Sequence, residues 1–195
     1  MLLNILRQFN WLDIFVVIFL LRIIYIAARS GLPVEIFKLL GVLVAVYISL
    51  HYYTLLSDRI LGFFAAGKEK VPLEFADFVS FVVLAVAGYM VFVLLRSVFC
   101  KFIKMEAVAN LNRFGGLILG LFRAYLLLGL IMFAMAISSV SYMEKSVKES
   151  YMGGHLFQVA PNTYSWLWDN LASKFMGTEK FNKTVSEIQG GFIKK

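Results

Sequence analysis

Four blocks of apolar residues dominate this sequence, and each is long enough to cross the roughly 30 Å of hydrocarbon in a lipid bilayer. Of the 195 residues, 61% are hydrophobic and only 16% are charged, a balance that a water-soluble domain cannot bury. We therefore predict an all-α fold: a polytopic membrane protein with a four-transmembrane-helix bundle in residues 1–140. The predicted spans are about 11–28, 33–53, 73–99 and 115–138.

Residues that break or start helices support these limits. Ser30-Gly31 and Pro33 separate the first two spans, and Pro72 opens the third. The polar stretch 57–70 is predicted to be a loop between membrane segments. The first block has the length of a secretory signal, but its cleavage site is weak and more spans follow, so we expect a retained helix.

The composition changes after the fourth span, so we predict an extramembrane tail at 141–195. Within it, Pro161-Asn162 offers a helix start and Gly177 a stop, which predicts an amphipathic helix at about 162–176. One face of that helix carries apolar residues at spacings of three and four: Tyr164, Leu167, Trp168, Leu171 and Phe175. Such a face fits a membrane interface equally as well as packing on the bundle or on a partner. The polar residues 178–195 are expected to be mobile.

Small residues line one face of the fourth span. Gly116, Gly120 and Ala124 are four residues apart and therefore share a helix face. Small residues let helix backbones approach closely in lipid, where the hydrophobic effect drives little association. This face is predicted to pack against another helix, and the pattern leaves open whether that helix belongs to the same chain or to another copy.

Arg123 and Glu35 are candidate charge sites inside the membrane. Arg123 lies roughly 10–15 Å along its helix from Arg113, at 1.5 Å per residue, so it needs either a partner or a path to the headgroups. Glu35 is the candidate partner. An ionisable residue inside a span is a functional hypothesis by default, because isolating a charge there is costly.

Asp13 is the third candidate. It is either an acidic residue at a helix start, favoured there by the helix dipole, or part of a polar site with Glu74 and Asp77. The first interpretation needs fewer assumptions. Because these carboxylates lie at helix ends rather than deep in several helices, a proton or cation pathway is disfavoured.

Motifs for catalysis or cofactor binding are not found. The sequence has no phosphate-binding loop, zinc-protease motif or nucleophile elbow, and His51 and His155 have no adjacent ligand pattern. The single Cys100 cannot form an internal disulfide. We therefore expect neither enzyme activity nor a cofactor or metal. The net charge is +7, and many of the basic residues flank apolar spans. This position indicates a role in membrane orientation and lipid contact rather than in nucleic-acid binding.

The distribution of basic residues predicts the orientation. The basic residues that flank the connection after the first span are Arg22, Arg29 and Lys38, and those that flank the connection after the third span are Arg96, Lys101, Lys104 and Arg113. The middle loop carries Arg59, Lys68 and Lys70. Because basic residues accumulate on the cytoplasmic side, we expect both termini outside the cytoplasm.

The chain resembles the CvpA family of bacterial inner-membrane proteins, named for a requirement in colicin V production, over nearly everything up to Pro161. The shared features are Asn10-Trp11-Leu12-Asp13, Arg29-Ser30-Gly31, Glu35 with Gly41, Arg113 through Gly116, Gly120, Arg123, and a later Ser150. The chain departs from the family pattern at two positions: Asn112 stands where Asp is frequent and Ala124 where Gly is frequent.

The resemblance implies a membrane protein linked to toxin production or export. Some members of the family carry a similar helical unit ahead of an extracytoplasmic serine protease domain, for which this tail is too short. We expect a non-enzymatic scaffold or export accessory that contacts the lipid bilayer and an envelope or secretion protein and can form a homo-oligomer. The alternative is a small oligomeric channel or transporter.

Overall fold

The computed structural model describes residues 10–65, 71–102, 109–177 and 179–193. Residues 1–9 of the predicted bundle domain, and Lys68, Lys70 and Lys104 of the orientation argument, lie outside the described residues. Within the described residues, the chain is helical apart from short connections and contains no strand. The all-α prediction is therefore confirmed.

Four long helices form the first part of the fold. They are α1 (Trp11–Ser30), α2 (Leu32–Ala65), α3 (Leu73–Phe102) and α4 (Ala109–Ile137). Each is long and apolar enough to cross a membrane, because its apolar run exceeds the length that hydrocarbon requires. The four-span prediction is confirmed.

Helix α2 is longer than the predicted span, which stopped at residue 53. It continues to Ala65, so residues 57–65, expected in a loop, are helical. At the end of the predicted span, α2 packs against α3, where the Tyr53 and Phe81 rings form a T-shaped contact with a centroid distance of 6.1 Å.

The helices pack in the lateral order α3, α2, α4, α1. Helix α2 has extensive contacts with both α3 and α4, whereas α1 packs mainly on α4. Glycines allow the closest approach of α2 and α3: a Cβ atom added to Gly88 would lie 3.1 Å from the Ala45 Cα atom. The close contact follows the small-residue rule for helices in lipid.

The tail folds into further helices: α5 (Ser141–Glu149), α6 (Gly153–Leu167), a π-helical turn (Trp168–Ala172), α7 (Ser173–Phe175) and α8 (Lys183–Ile193). The predicted helix start at Pro161-Asn162 is wrong, because α6 begins at Gly153 and contains Pro161. Gly153 fixes the start: its N–H bonds to the Ser150 hydroxyl at 2.9 Å, and a Cβ atom there would lie 2.4 Å from the Val147 carbonyl oxygen.

The expectation that residues 178–195 are mobile is also wrong for 183–193, which form α8. Val185 is buried, and the Phe192 ring stacks on Phe157 of α6 with a centroid distance of 4.0 Å. Ile188 packs against the same core. These apolar residues recur at helical spacing, and together they bury enough surface to hold a short helix.

One hydrophobic core joins the spans and the tail. It includes Leu12 of α1, Leu50 of α2 and Phe133 of α4 together with Phe157 and Tyr164 of α6. The Phe133 and Phe157 rings stack at 5.7 Å. The predicted boundary near residue 140 therefore separates two kinds of sequence rather than two independent cores.

Candidate functional site: three buried polar junctions

The turn between α1 and α2 depends on Gly31 and Asn112. Gly31 has φ +78°, a conformation that residues with a side chain rarely adopt. A Cβ atom at Gly31 would also lie 2.7 Å from Asn112 Oδ1. That same oxygen accepts the Leu32 N–H at 2.6 Å, so a side chain of α4 caps the first turn of α2.

The predicted small-residue face of α4 packs against α1 of the same chain. A Cβ atom at Gly116 would lie 3.1 Å from the Ala27 carbonyl oxygen, and one at Gly120 would lie 2.2 Å from the Ala27 Cβ atom. Ala124, the third member, is completely buried. Of the two partners that the sequence left open for Gly116 and Gly120, the structure provides the intramolecular one.

The Glu35 cluster consists of Glu35, Lys38, Arg123 and Ser30, and it lies where α1, α2 and α4 meet. Glu35 is completely buried and Arg123 is 5% exposed. Glu35 Oε1 accepts a hydrogen bond from Lys38 Nζ at 2.6 Å, and Lys38 Nζ also donates to the Ser30 hydroxyl at 2.8 Å. Glu35 Oε2 lies 3.1 Å from Arg123 Nε. The structure thus pairs Glu35 with Arg123 as predicted.

The electrostatics of the Glu35 cluster are unbalanced, with two cations around one carboxylate. The Arg123 Nε–H is not aligned on Glu35 Oε2, so this contact is an ion pair rather than a hydrogen bond. Buried charges persist only when partners compensate their lost hydration. Gly120 lies beside the cluster, since a Cβ atom there would be in van der Waals contact with Glu35 Oε2 at 3.8 Å.

The Asp13 junction joins the start of α1 to the turn before α6. Asp13 is completely buried and accepts the Asn10 N–H at 2.8 Å, as an acidic residue in a capping box does. Its carboxylate also accepts the Ser150 hydroxyl at 2.6 Å and the Met152 N–H at 2.9 Å. Nearby, Trp11 Nε1 donates to the Ser146 hydroxyl of α5 at 3.1 Å.

This geometry agrees with the simpler of the two interpretations of Asp13. Its hydrogen-bond partners within the described residues come from Asn10 and from residues 150–152, not from Glu74 or Asp77. The functional link to Ser150 could not be read from the sequence, because the two residues lie 137 positions apart.

The His51 network ties the end of the chain to α2 and was missed by sequence reasoning. Tyr164 OH and His51 Nδ1 are hydrogen-bonded at 2.8 Å, and His51 Nε2 lies 3.0 Å from Glu179 Oε2. Tyr52 OH donates to Glu179 at 2.7 Å. Asn182 donates its backbone N–H to Tyr164 OH at 3.0 Å and its side-chain amide to the Leu50 carbonyl at 2.9 Å.

Aromatic rings surround this network. The Tyr47 and Trp168 rings lie nearly parallel to the His51 ring, at centroid distances of 5.2 and 5.3 Å. Burial raises the pKa of Tyr164 to about 12, so its hydroxyl stays protonated and can donate to His51. The signal available in the sequence was a His-Tyr-Tyr run at the end of an apolar block, which resembles an interfacial belt.

The predicted apolar face of the tail helix divides into two parts. Tyr164 is completely buried and Leu167 is 9% exposed, whereas Leu171 is 49% and Phe175 is 83% exposed. Trp168 lies between these groups, at the start of the π-helical turn. This turn adds one residue to a helical turn and so rotates the residues after it out of register with those before it.

The comparison with protein families gives one match. The family model described as colicin V production protein matches residues 12–161, a segment that contains all four side chains of the Glu35 cluster and both Asp13 and Ser150 of the Asp13 junction. Glu179 and Asn182 of the His51 network lie beyond it. No curated protein and no solved structure matches the chain. The family model covers most of the sequence, and the chain therefore belongs to the colicin V production protein family.

Proposed function

We propose that this protein is a non-enzymatic membrane scaffold or accessory in the production or export of a colicin-type toxin. We place it in the bacterial inner membrane with both termini outside the cytoplasm. Membership of the colicin V production protein family supports the link to toxin production, and the four apolar helices support the membrane location. The basic residues after the first and third spans support the orientation.

The observation that carries the scaffold proposal is that the buried charged groups of Asp13, Glu35 and Arg123, all within the family segment, contact other parts of the bundle. Glu35 is engaged by Lys38 and Arg123, and Asp13 by Ser150 and by backbone N–H groups. Such contacts fix helices relative to one another rather than presenting groups to a substrate. A rigid bundle of this kind is suited to organising partner proteins in the membrane.

A second candidate, a small oligomeric channel or transporter, is favoured by one observation. The Glu35 cluster keeps a net positive charge deep in the bundle, and charged residues inside spans commonly mark ion pathways. The cluster contains two basic groups and one acid. Four helices enclose little space, so a pore would require several copies.

Site-specific photocrosslinking in native bacterial membranes tests the scaffold proposal. A photoreactive residue replaces Val86 of α3, which is 55% exposed. A matched control replaces Leu128 of α4, which is completely buried and should capture nothing outside the chain. We expect the Val86 probe to capture an envelope or secretion protein. Capture of lipid and other copies alone would contradict the scaffold and favour the channel.

Ion flux in proteoliposomes provides the complementary measurement. Lys38→Gln removes one cation of the Glu35 cluster and leaves the Glu35–Arg123 pair in place. A scaffold predicts no flux from either the parent protein or this variant, with equal amounts of folded protein. Flux in the parent protein that changes in Lys38→Gln, but not in the exposed control Lys145→Gln, would contradict the scaffold.

A further inference from the structure

The helical segment that runs from the end of α6 through the π-helical turn and α7 carries apolar side chains on its exposed surface. In the segment from 166 to 176, called here the apolar end segment, Trp166 is 59%, Leu171 49%, Phe175 83% and Met176 39% exposed. A concentration of large apolar side chains on a surface marks contact with a membrane or with another protein. The same segment carries the exposed residues Asp169 and Lys174, so it is amphipathic.

Contact with α2 indicates the depth of this segment in the membrane. Tyr47 OH lies 3.3 Å from the Met176 sulfur atom. Between Lys38 and Asp58, α2 has no charged residue, and that stretch spans about 28 Å at 1.5 Å per residue. Its length matches the hydrocarbon thickness. Tyr47 lies within it, about 16 Å from Asp58 along the helix axis.

We propose that the apolar end segment is inserted among the lipid acyl chains of one leaflet, on the side of the membrane where α1 begins. Leu171 and Phe175 contact the chains, and Lys174 extends towards anionic headgroups. The side follows from Glu179, just after the segment, which is engaged by His51 and Tyr52 in the half of α2 nearer Asp58. Because α1 and α2 are consecutive spans, that end of α2 lies on the side where α1 begins.

Depth and the exposed lysines favour lipid over a second protein as the occupant. Met176 contacts Tyr47 within the charge-free stretch of α2, and Lys174, Lys180 and Lys183 are exposed around the segment. The exposed carboxylates of Asp169 and Glu187 balance part of this charge, whereas Glu179 is engaged by His51 and Tyr52. Exposed aromatic residues beside lysines are the usual combination at the surface of an anionic membrane. This inference does not depend on the proposed function.

Spin-label accessibility measures the depth directly. Phe175→Cys is made in the full chain with Cys100→Ala, so that the nitroxide has one attachment site, and the protein is reconstituted into phosphatidylcholine and phosphatidylglycerol vesicles. We expect oxygen, which concentrates in lipid, to relax the label severalfold more than a water-soluble nickel chelate. The matched control is Lys145→Cys on α5, whose side chain is 71% exposed and which should show the reverse order.

Two results would overturn the proposal. A Phe175→Cys label as accessible to the nickel chelate as the Lys145→Cys label would place the segment in water. A label shielded from both reagents would mean that protein, such as a second copy of the chain, covers the face. Leu171→Cys gives an independent reading at the same depth if Phe175→Cys does not fold, and the same two results at that position carry the same meaning.

Discussion

Glu35 is the residue on which most of the buried charge in this bundle depends. It is completely buried and compensates both Lys38 and Arg123. The desolvation cost of the two cations is offset only while Glu35 is present, because a lone cation in low dielectric has neither water nor a counter-charge. Glu35 therefore contributes far more to the stability of the fold than a carboxylate in a surface ion pair does.

Glu35→Gln is expected to destabilise the bundle by roughly 3–5 kcal/mol, the cost of breaking a buried pair and leaving its cations unpaired. Unfolding by detergent titration provides the measurement. Glu144→Gln, which breaks an exposed pair with Lys148 on α5, is the control and should change stability by no more than about 1 kcal/mol.

The double variant Glu35→Gln with Arg123→Gln separates the pair from the individual residues. We expect the double variant to lose less free energy of unfolding than the two single variants lose in sum, because the second change removes a cation that the first left unpaired. Strict additivity, or a Glu35→Gln cost equal to that of Glu144→Gln, would show that the Glu35 cluster does not stabilise the bundle.

At the scale of elements, the contact between α1 and α4 is set by the glycine face of α4. Gly116 and Gly120 bring α4 against Ala27, and this closeness places the Glu35 cluster and the Asn112 cap within reach of their partners. A wider spacing would weaken these polar contacts together. Helix packing and the polar junctions are thus coupled.

Gly120→Ala is expected to destabilise the bundle by about 1–3 kcal/mol, because the added methyl group overlaps Ala27 and forces the helices apart. The control is Gly62→Ala on α2, where a Cβ atom would meet nothing within 4 Å. That control should be neutral or stabilising by roughly 0.5–1 kcal/mol.

The double variant Ala27→Gly with Gly120→Ala tests whether the overlap with the Ala27 methyl group causes the loss of stability. Removing the Ala27 methyl group should restore part of the stability in the same detergent titration. If Gly120→Ala costs no more than Gly62→Ala, or if Ala27→Gly gives no recovery, the close approach of α1 and α4 is not what stabilises this contact.

For the whole molecule, the His51 network connects the last part of the chain to the middle of α2. Glu179 and Asn182 supply the bonds from the tail, while α8 adds its apolar contact with Phe157. The family match ends at residue 161, so these tail groups lie outside the segment that defines the family. They fold onto the bundle as an additional layer.

Glu179→Gln should loosen this layer, because the neutral amide cannot provide the charge that favours bonds from His51 and Tyr52. A loss of about 1–3 kcal/mol would speed cleavage after Lys180 and Lys183 by about fivefold or more when opening is in rapid equilibrium. Trypsin digestion of the purified protein in detergent provides the measurement.

The matched control is Glu187→Gln, which neutralises an exposed carboxylate within α8 and should leave the cleavage rate unchanged. Asn182→Ala removes the amide bond to the Leu50 carbonyl and should speed cleavage as Glu179→Gln does. Equal digestion rates in all of these variants would mean that the His51 network does not hold the tail.

The sequence by itself determined the four spans and the α4 packing face, and it named Glu35 as the candidate partner of Arg123. Span length and helical periodicity are local properties, and an uncompensated charge in an apolar helix restricts the choice of partner. Only the tertiary structure decided that Gly120 packs on Ala27, that α6 starts at Gly153, and that residues 183–193 form a helix. Contacts between distant parts of the chain decide the Gly120 packing and the position of α8, whereas a local turn at Ser150 decides the start of α6. Distant contacts, such as the His51–Tyr164 bond across 113 positions, leave no periodic signal in the sequence.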